Sequence, residues 1–404
     1  MSLLCLICVT AFPRVETLTL EECLEQAMEN NPTLRGNKQK IAVAEARRGT
    51  YLDIPNTSIE LSQNAIEGAG PDNGLTFSQE FDFPTVYVAR RRVFKAEEDV
   101  LREEYGGVCA ELRGNVVTLY NALQVAHVRM DFLQSEMNIY EEFSRITHRR
   151  FEEGDASRLE CLNADRMKSK MGNRLEEAAN TLKNLQFQLA RAIGADGPVD
   201  ASNWNLVVME YTGTDDFDAL STYSSRALAA RIELTRKNVW LARQQFLPGL
   251  SVSATSQVVI KGFNPYHVER QRFTKGNFMG FSVGITVPLF FGSKRSNLLS
   301  AKMETESARL ELEDEMLRQK TEYDTLCNDL ALLWERLGYY QNEAIGQATE
   351  IRKLAQISYE LGEIDYLEYM QNMESVAEIW LEYMDAIDRY NEITVKLQVL
   401  KGEI

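Results

Sequence analysis

The segment MGFSVGITVPL, residues 279–289, alternates between two kinds of side chain. Met279, Phe281, Val283, Ile285, Val287 and Leu289 fall on one side. Gly280, Ser282, Gly284 and Thr286 fall on the other. A period of two is that of a β-strand, and about eleven residues is the length of a tilted strand that crosses a bilayer. A strand backed by a soluble core alternates in the same way. Here the polar set is small and hydrophilic, which suits a water-lined interior better than a packed one.

Three other runs share this period. Ile59 and Leu61 alternate with Ser58, Glu60 and Ser62; Leu75, Phe77, Phe81 and Phe83 with Thr76, Ser78, Glu80 and Asp82; Leu250, Val252, Ala254 and Val258 with Ser251, Ser253, Thr255 and Gln257. Polar loops at 64–74 and 260–277 join the runs in pairs. The pattern predicts strands at about 57–63, 75–83, 250–259 and 278–289. Four strands cannot close a barrel, and open strand edges cannot sit in lipid. A membrane reading therefore demands several copies, and three copies supply twelve strands.

Most of the remaining chain is helical. Val86 to about Arg149 contains no proline and carries an apolar stripe that includes Leu112, Leu119, Leu123, Leu133 and Tyr140. At 1.5 Å per residue this is a rod of about 96 Å. Residues 293–358 match it, and shorter helices follow at about 156–193 and 364–400. Short turns after the long rods predict antiparallel coiled pairs. The order of elements occurs twice, over 18–197 and 218–404, with a linker at 198–217. The fold class expected is mainly α, with a small membrane β-barrel portion. Residues 1–17 open on an apolar run ending ValThrAla, which reads as a shortened export signal or, alternatively, as a disordered apolar terminus.

The net charge of −16 repels nucleic acid. Six cysteines (Cys5, Cys8, Cys23, Cys109, Cys161 and Cys327) show no disulfide or zinc spacing, and three histidines cannot furnish a histidine-rich metal centre. His127, His148 and His267 read as surface or half-buried. No nucleotide, zinc-protease or nucleophile-elbow motif occurs. The sequence thus offers neither an enzyme site nor a cofactor site. Met370 and Met373 read as coiled-coil packing rather than soft-metal ligands.

Two constellations remain. Arg90, Arg91 and Arg92 open the first long helix and Lys294 and Arg295 the second; they mark either a membrane–water boundary or a solvated helix face. The turns EEGDAS (152–157) and ELGEID (360–365) place Gly154 and Gly362 where helices end. Asp155 or Ser157 can cap the helix after the first turn, and Asp365 the helix after the second. Around a symmetry axis, Asp155, Glu363, Asp365 and Glu368 form acidic rings able to attract or gate cations.

Several stretches resemble outer-membrane efflux proteins of the TolC type. They are TLEECLEQAMENNPTLR (19–35), LAARIEL (228–234), TVPLFFGSKR (286–295), RFEEGDASRLE (150–160) and YELGEIDYLEY (359–369). The resemblance runs from Leu18 to about Leu400 and rests on order and duplication. It implies a homotrimer in the outer membrane of a Gram-negative bacterium, with a twelve-stranded barrel in lipid and a long α-helical tunnel through the periplasm. It also implies a periplasmic adaptor and an inner-membrane pump as partners, and passive conduction of metal cations, drugs or other organic compounds. By the same resemblance Gly154, Asp155, Gly362 and Glu363 lie at adaptor-facing tips, and Asp365, Glu368 and Glu374 near gate contacts. The chain lacks the basic residue that some members carry just after the position of Gly362. FDFPTVYVARRR (81–92) is similar to the strand exit of the heavy-metal or cation branch. The alternative is a non-transporting coiled-coil scaffold of the periplasm, which leaves the paired strands unexplained.

Overall fold

The computed structural model describes residues 15–65, 71–211, 217–259 and 277–404. Cys5, Cys8, His267, most of the expected leader and most of the 260–277 loop lie outside them. Two compact units are formed. One comprises Met1–Asn37, Tyr105–Tyr223 and Met316–Ile404; the other comprises Lys38–Glu104 and Ser224–Glu315.

The second unit is built on a sheet of β2 (Ser58–Ala65), β3 (Pro71–Phe81), β5 (Gly249–Val259) and β6 (Asn277–Thr286), in the order β2-β3-β5-β6. Every neighbouring pair is antiparallel. One cross-strand row reads Ile59–Phe77–Ala254–Phe281, and the adjacent row Glu60–Thr76–Thr255–Gly280. The alternation seen in sequence thus becomes two faces. On the apolar face, Leu61 and Val283 are each 79% exposed and Phe281 76%. The other face carries a row of four serines, Ser58–Ser78–Ser253–Ser282. Ser253 and Ser282 hydroxyls lie 2.7 Å apart and those of Thr76 and Thr255 3.2 Å apart. A Cβ on Gly284 would come within 2.6 Å of Ser251 Oγ, so this face is crowded by even small groups. β6 stops at Thr286, short of the expected Leu289, because Pro288 has no N–H for a ladder.

α2 (Pro32–Arg48), α5 (Tyr223–Gln244) and the first parts of α3 (Pro84–Glu153) and α6 (Gly292–Tyr339) surround this sheet in the chain. The first unit contains α1 (Leu20–Asn30), α4 (Arg158–Ile193), α7 (Ile345–Glu360), α8 (Tyr366–Lys401) and the remainder of α3 and α6. α3 has 70 residues, about 105 Å of helix. A π-turn at Tyr340–Ala344 joins α6 to α7, where the sequence pattern predicts uninterrupted helix. Three buried clusters hold this unit, centred on Leu123 and Leu189, on Leu337 and Ile387, and on Met370 and Met373. Both methionines are 2% exposed, as packing residues should be.

A short parallel pair, β1 (Glu16–Leu18) with β4 (Val199–Ala201), has no counterpart in the sequence reading. Glu16 and Thr17, at the end of the expected leader, are paired in it. Thr19 then starts α1 through a reciprocal capping box with Glu22. Asn31 ends α1; its side-chain oxygen accepts from Thr33 N–H while its amide donates to Ala192 O at 2.7 Å.

Gly114 sits where α3 meets α8: a Cβ there would lie 2.3 Å from Val399 Cγ2. Valine is stiff at χ1 and yields poorly. Gly114→Ala should destabilise the protein by about 1–3 kcal/mol, and Val399→Ala in the same chain should recover most of that loss in thermal melts.

Candidate functional site

At the strand exits, Phe83 leads into Pro84, whose fixed φ suits the first helical turn of α3. The three following arginines are turned onto aromatic rings. Arg90 bonds Asp82 at 3.1 Å and lies 5.7 Å from the Tyr87 ring. Arg91 lies 5.5 Å from Tyr51, and Arg92 4.7 Å from Trp240. Lys294 donates to Gln245 O at 2.5 Å, and Arg295 N–H to Phe291 O at 2.8 Å. Except at Arg295, where only a backbone bond is recorded, these side chains brace strand exits against helices by cation–π and hydrogen-bond contacts. The signal in sequence was Tyr87, three positions before Arg90 on one helix; Tyr51 and Trp240 have no spacing that links them to Arg91 or Arg92 until the chain folds.

At the turns, Gly154 has φ +85° and Gly362 +73°. Gly154 N–H donates to Phe151 O and Asp155 N–H to Arg150 O; Gly362 N–H donates to Tyr359 O and Glu363 N–H to Ser358 O. These are paired Schellman closures that satisfy the last carbonyls of α3 and α7. Of the two capping candidates in the first turn, Ser157 does the work, in a capping box with Glu160. In the second, Asp365 accepts from Glu368 N–H at 2.9 Å. Glu363 accepts from Ser358 Oγ at 3.0 Å. Asp365 and Glu363 therefore have local partners, and Glu368 is exposed.

Behind the turns, Phe143 packs against Tyr359, Tyr366 and Tyr369 with ring centroids 5.6, 4.9 and 5.4 Å away. The Tyr366 hydroxyl is buried without a partner, and burial pushes it up to about 12. Several polar links tie the first helical pair to the second, Arg129 with Asp385 among them. Arg150 donates to Tyr359 Oη at 3.1 Å and Arg352 to Glu136 at 2.5 Å. Lys170 bonds Glu374, and Arg174 lies 3.9 Å from Glu378. Burial raises the Glu136 carboxyl above its usual range despite Arg352. Glu374 is thus engaged with α4, while Asp365 and Glu368 belong to the cap of α8.

The sequence reading missed a network around β4. His127 is fully buried, where a surface or half-buried histidine is expected; it bonds Asp200 at 2.7 Å and stacks on Trp204 at 4.2 Å. Gln186 donates to the second Asp200 oxygen at 2.8 Å. Burial pushes the Asp200 carboxyl up, but His127, the Ala201 N–H and Gln186 together hold it below the usual range. His148, by contrast, is half-exposed and bonds Asp165 at 3.0 Å. Among the described residues no three His, Cys, Asp or Glu side chains converge to hold a metal ion. No helix among them is long and apolar enough to cross a membrane.

The family model for outer membrane efflux protein matches residues 23–195 and 224–403. The chain belongs to that family. No curated protein matches it in sequence. Among solved structures, the fold is similar to the Campylobacter jejuni CmeC outer membrane channel, with TM-score 0.79 and 18% identity over 95% of this chain and 85% of that one. CusC gives 0.78 and 15%, over 96% and 93%. The open state of the Neisseria gonorrhoeae MtrE outer membrane channel gives 0.74 and 15%, over 95% and 88%.

This efflux protein is an outer-membrane channel of the TolC type, with a large periplasmic helical portion. It conducts passively within a tripartite efflux system and is not an enzyme. Its family identity implies an adaptor and an inner-membrane pump. The exposed apolar face of the sheet and its serine row are the two surfaces such a channel needs.

The depressed Asp200 pKa gives a signed pH effect. Its stabilisation is complete above the ordinary aspartate range near pH ~4 and is lost as pH falls below it. Asp200→Asn should cost about 1.5–3 kcal/mol at neutral pH. Melting curves of the variant should then change less than wild type on acidification from pH ~5 to ~3.

Proposed function

We propose that three copies of this efflux protein close into one tube, a twelve-stranded barrel in the outer membrane continued by a helical tunnel. The observation that supports this is the sheet itself. β2 and β6 each have one edge without a partner strand among the described residues, while the apolar face is exposed. Unpaired backbone in lipid costs several kcal/mol per group, so β6 of one copy pairs with β2 of the next. Each protomer contributes two structural repeats, 18–197 and 218–404, joined through 198–217. The turns at Gly154–Asp155 and Gly362–Glu363 face a periplasmic adaptor, which couples the tube to an inner-membrane pump. A net charge of −16 favours cationic cargo, metal or organic, over anionic cargo. The pump makes the selection.

Among the gate candidates, Glu374 is the one with a partner on another helix. Exposed ion pairs contribute about 0–1 kcal/mol each, enough to bias α8 against α4 without locking it. Asp365 caps α8 by accepting from the Glu368 N–H, and the exposed Glu368 carboxylate stays a gate candidate beside Glu374.

Outer-membrane fractionation with heat-sensitive trimer migration on gels checks the assembly, and a soluble cytosolic monomer overturns it. A cysteine scan along β2, residues 58–62, against Ser282→Cys should give one pairing that cross-links copies.

Glu374→Gln with Glu378→Gln should raise open probability in planar bilayers while leaving trimer stability nearly unchanged. Asp365→Ala should do the reverse, costing about 1 kcal/mol of stability with no change in conductance.

A further inference from the structure

We propose that the groove between α5 and α6 binds the phosphate-bearing headgroup of an anionic phospholipid in the periplasmic leaflet of the outer membrane. The inference needs the outer-membrane location and not the three-copy closure.

A cavity of about 330 Å³ lies between the two helices. Arg236 and Arg243 line it from α5, and Lys302 and Arg309 from α6, together with Val239 and Trp240. Spacing sets this pattern. Arg236 and Arg243 are seven residues apart, and so are Arg295, Lys302 and Arg309 in succession. Seven residues make close to two turns of helix, so each set forms one stripe. The stripe of α6 starts with Arg295, nearest the strands.

The charge here is opposite to that of the whole chain. The lining holds four basic side chains and one acidic one, in a protein of net charge −16. Arg309 is paired with that acid, Glu306, at 3.3 Å, and Arg236 with Glu233. Arg243, Arg295 and Lys302 are exposed, and none has a side-chain partner among the described residues. Three unpaired cations close together favour a phosphate, which offers its charge on several oxygens at once.

The place of the groove in the fold selects a lipid over a free anion. Phe246, just after α5, stacks on Phe291, just before α6, with ring centroids 5.9 Å apart. Phe290 is 91% exposed and Leu289 78%. These side chains continue the exposed apolar run of β6, and an aromatic girdle of this kind marks a bilayer edge. The Phe291 carbonyl accepts from Arg295 N–H at 2.8 Å, so Phe291 already stands in the helical register, on the stripe of Arg295, Lys302 and Arg309. Aromatic surface thus lies above and cations below, the order of acyl carbon and phosphate in a lipid. Lys302 is ten residues beyond Gly292, about 15 Å of helix. It leans back toward the strands, because helix side chains tilt to the N-terminus. Arg243 is one residue from the end of α5. Basic pockets between helices at a membrane face hold anionic headgroups by the same attraction.

The test uses full-length protein in nanodiscs that hold phosphatidylglycerol and phosphatidylcholine in equal amounts, with retained lipid identified by native mass spectrometry. Phosphatidylglycerol should be retained in preference. Arg243→Gln with Lys302→Gln should lower its retention about tenfold or more, and Arg243→Lys with Lys302→Arg should keep it. Val239→Trp, which fills the groove and leaves every charge in place, should lower it as well. Equal retention of the two lipids, or a preference unchanged in the Gln and Trp variants, overturns the site. Free sn-glycerol 1-phosphate, titrated against the loaded protein, should displace little of the lipid; full displacement overturns the lipid as occupant. The cross-links between β2 and β6 test the three-copy reading separately, and neither result decides the other.

Discussion

Backbone hydrogen bonding at two strand edges governs the architecture. A four-stranded sheet leaves two rows of N–H and C=O groups open, and in hydrocarbon there is no water to receive them. The apolar side chains of β6 prevent retreat into water, since Phe281 and Val283 have no core to enter in the protomer. In the assembly proposed above, other copies of the same sheet satisfy both demands. The helices inherit this constraint, because α3 and α6 follow directly on β3 and β6 in the chain.

Local chemistry makes such long elements end where they should. Among the described residues four glycines have positive φ: Gly154, Gly194, Gly362 and Gly402. Each closes a helix by the same pair of backbone bonds. Gly194 could accept no side chain on a second count, since a Cβ would press within 2.9 Å of the Asn30 carbonyl. The helices after the tips start on Ser157 and Asp365. A rod of 70 residues needs little help along its length and firm stops at its ends.

The elements with strong periodicity were legible in the sequence. The four strands and the long helices follow from alternation and from stripes free of proline, and their limits moved by only a few residues. What escaped was short or non-local. β1 and β4 have three residues each, too few to show a period. The His127–Asp200–Trp204 network joins residues more than seventy positions apart. Arg90, Arg91 and Arg92 read as a boundary or a solvated face, yet the rings under Arg91 and Arg92 come from a distant turn and helix, and only that of Arg90 lies on its own helix. At the tips, sequence supplied both turns and left the capping residue of the first open between Asp155 and Ser157. In the folded protein Ser157 is the cap, and Glu374 is tied to Lys170 through a contact that no spacing rule could reveal.

The π-turn at Tyr340–Ala344 also acts as a phase marker. Upstream, Tyr323, Leu330, Leu337 and Ala344 are buried at seven-residue intervals. Continuing that heptad predicts burial at Ile351, which is 36% exposed; Ala348 and Ala355 are buried instead. The seam slips by four residues, a stutter, which locally unwinds a coiled coil, and the wider π-turn absorbs the slip. Helix α7 therefore keeps its own phase. Heptad letters counted down from α6 assign the wrong core to the last sixteen residues of the rod, and a single-residue insertion or deletion at the π-turn would rotate everything beyond it by about 100°.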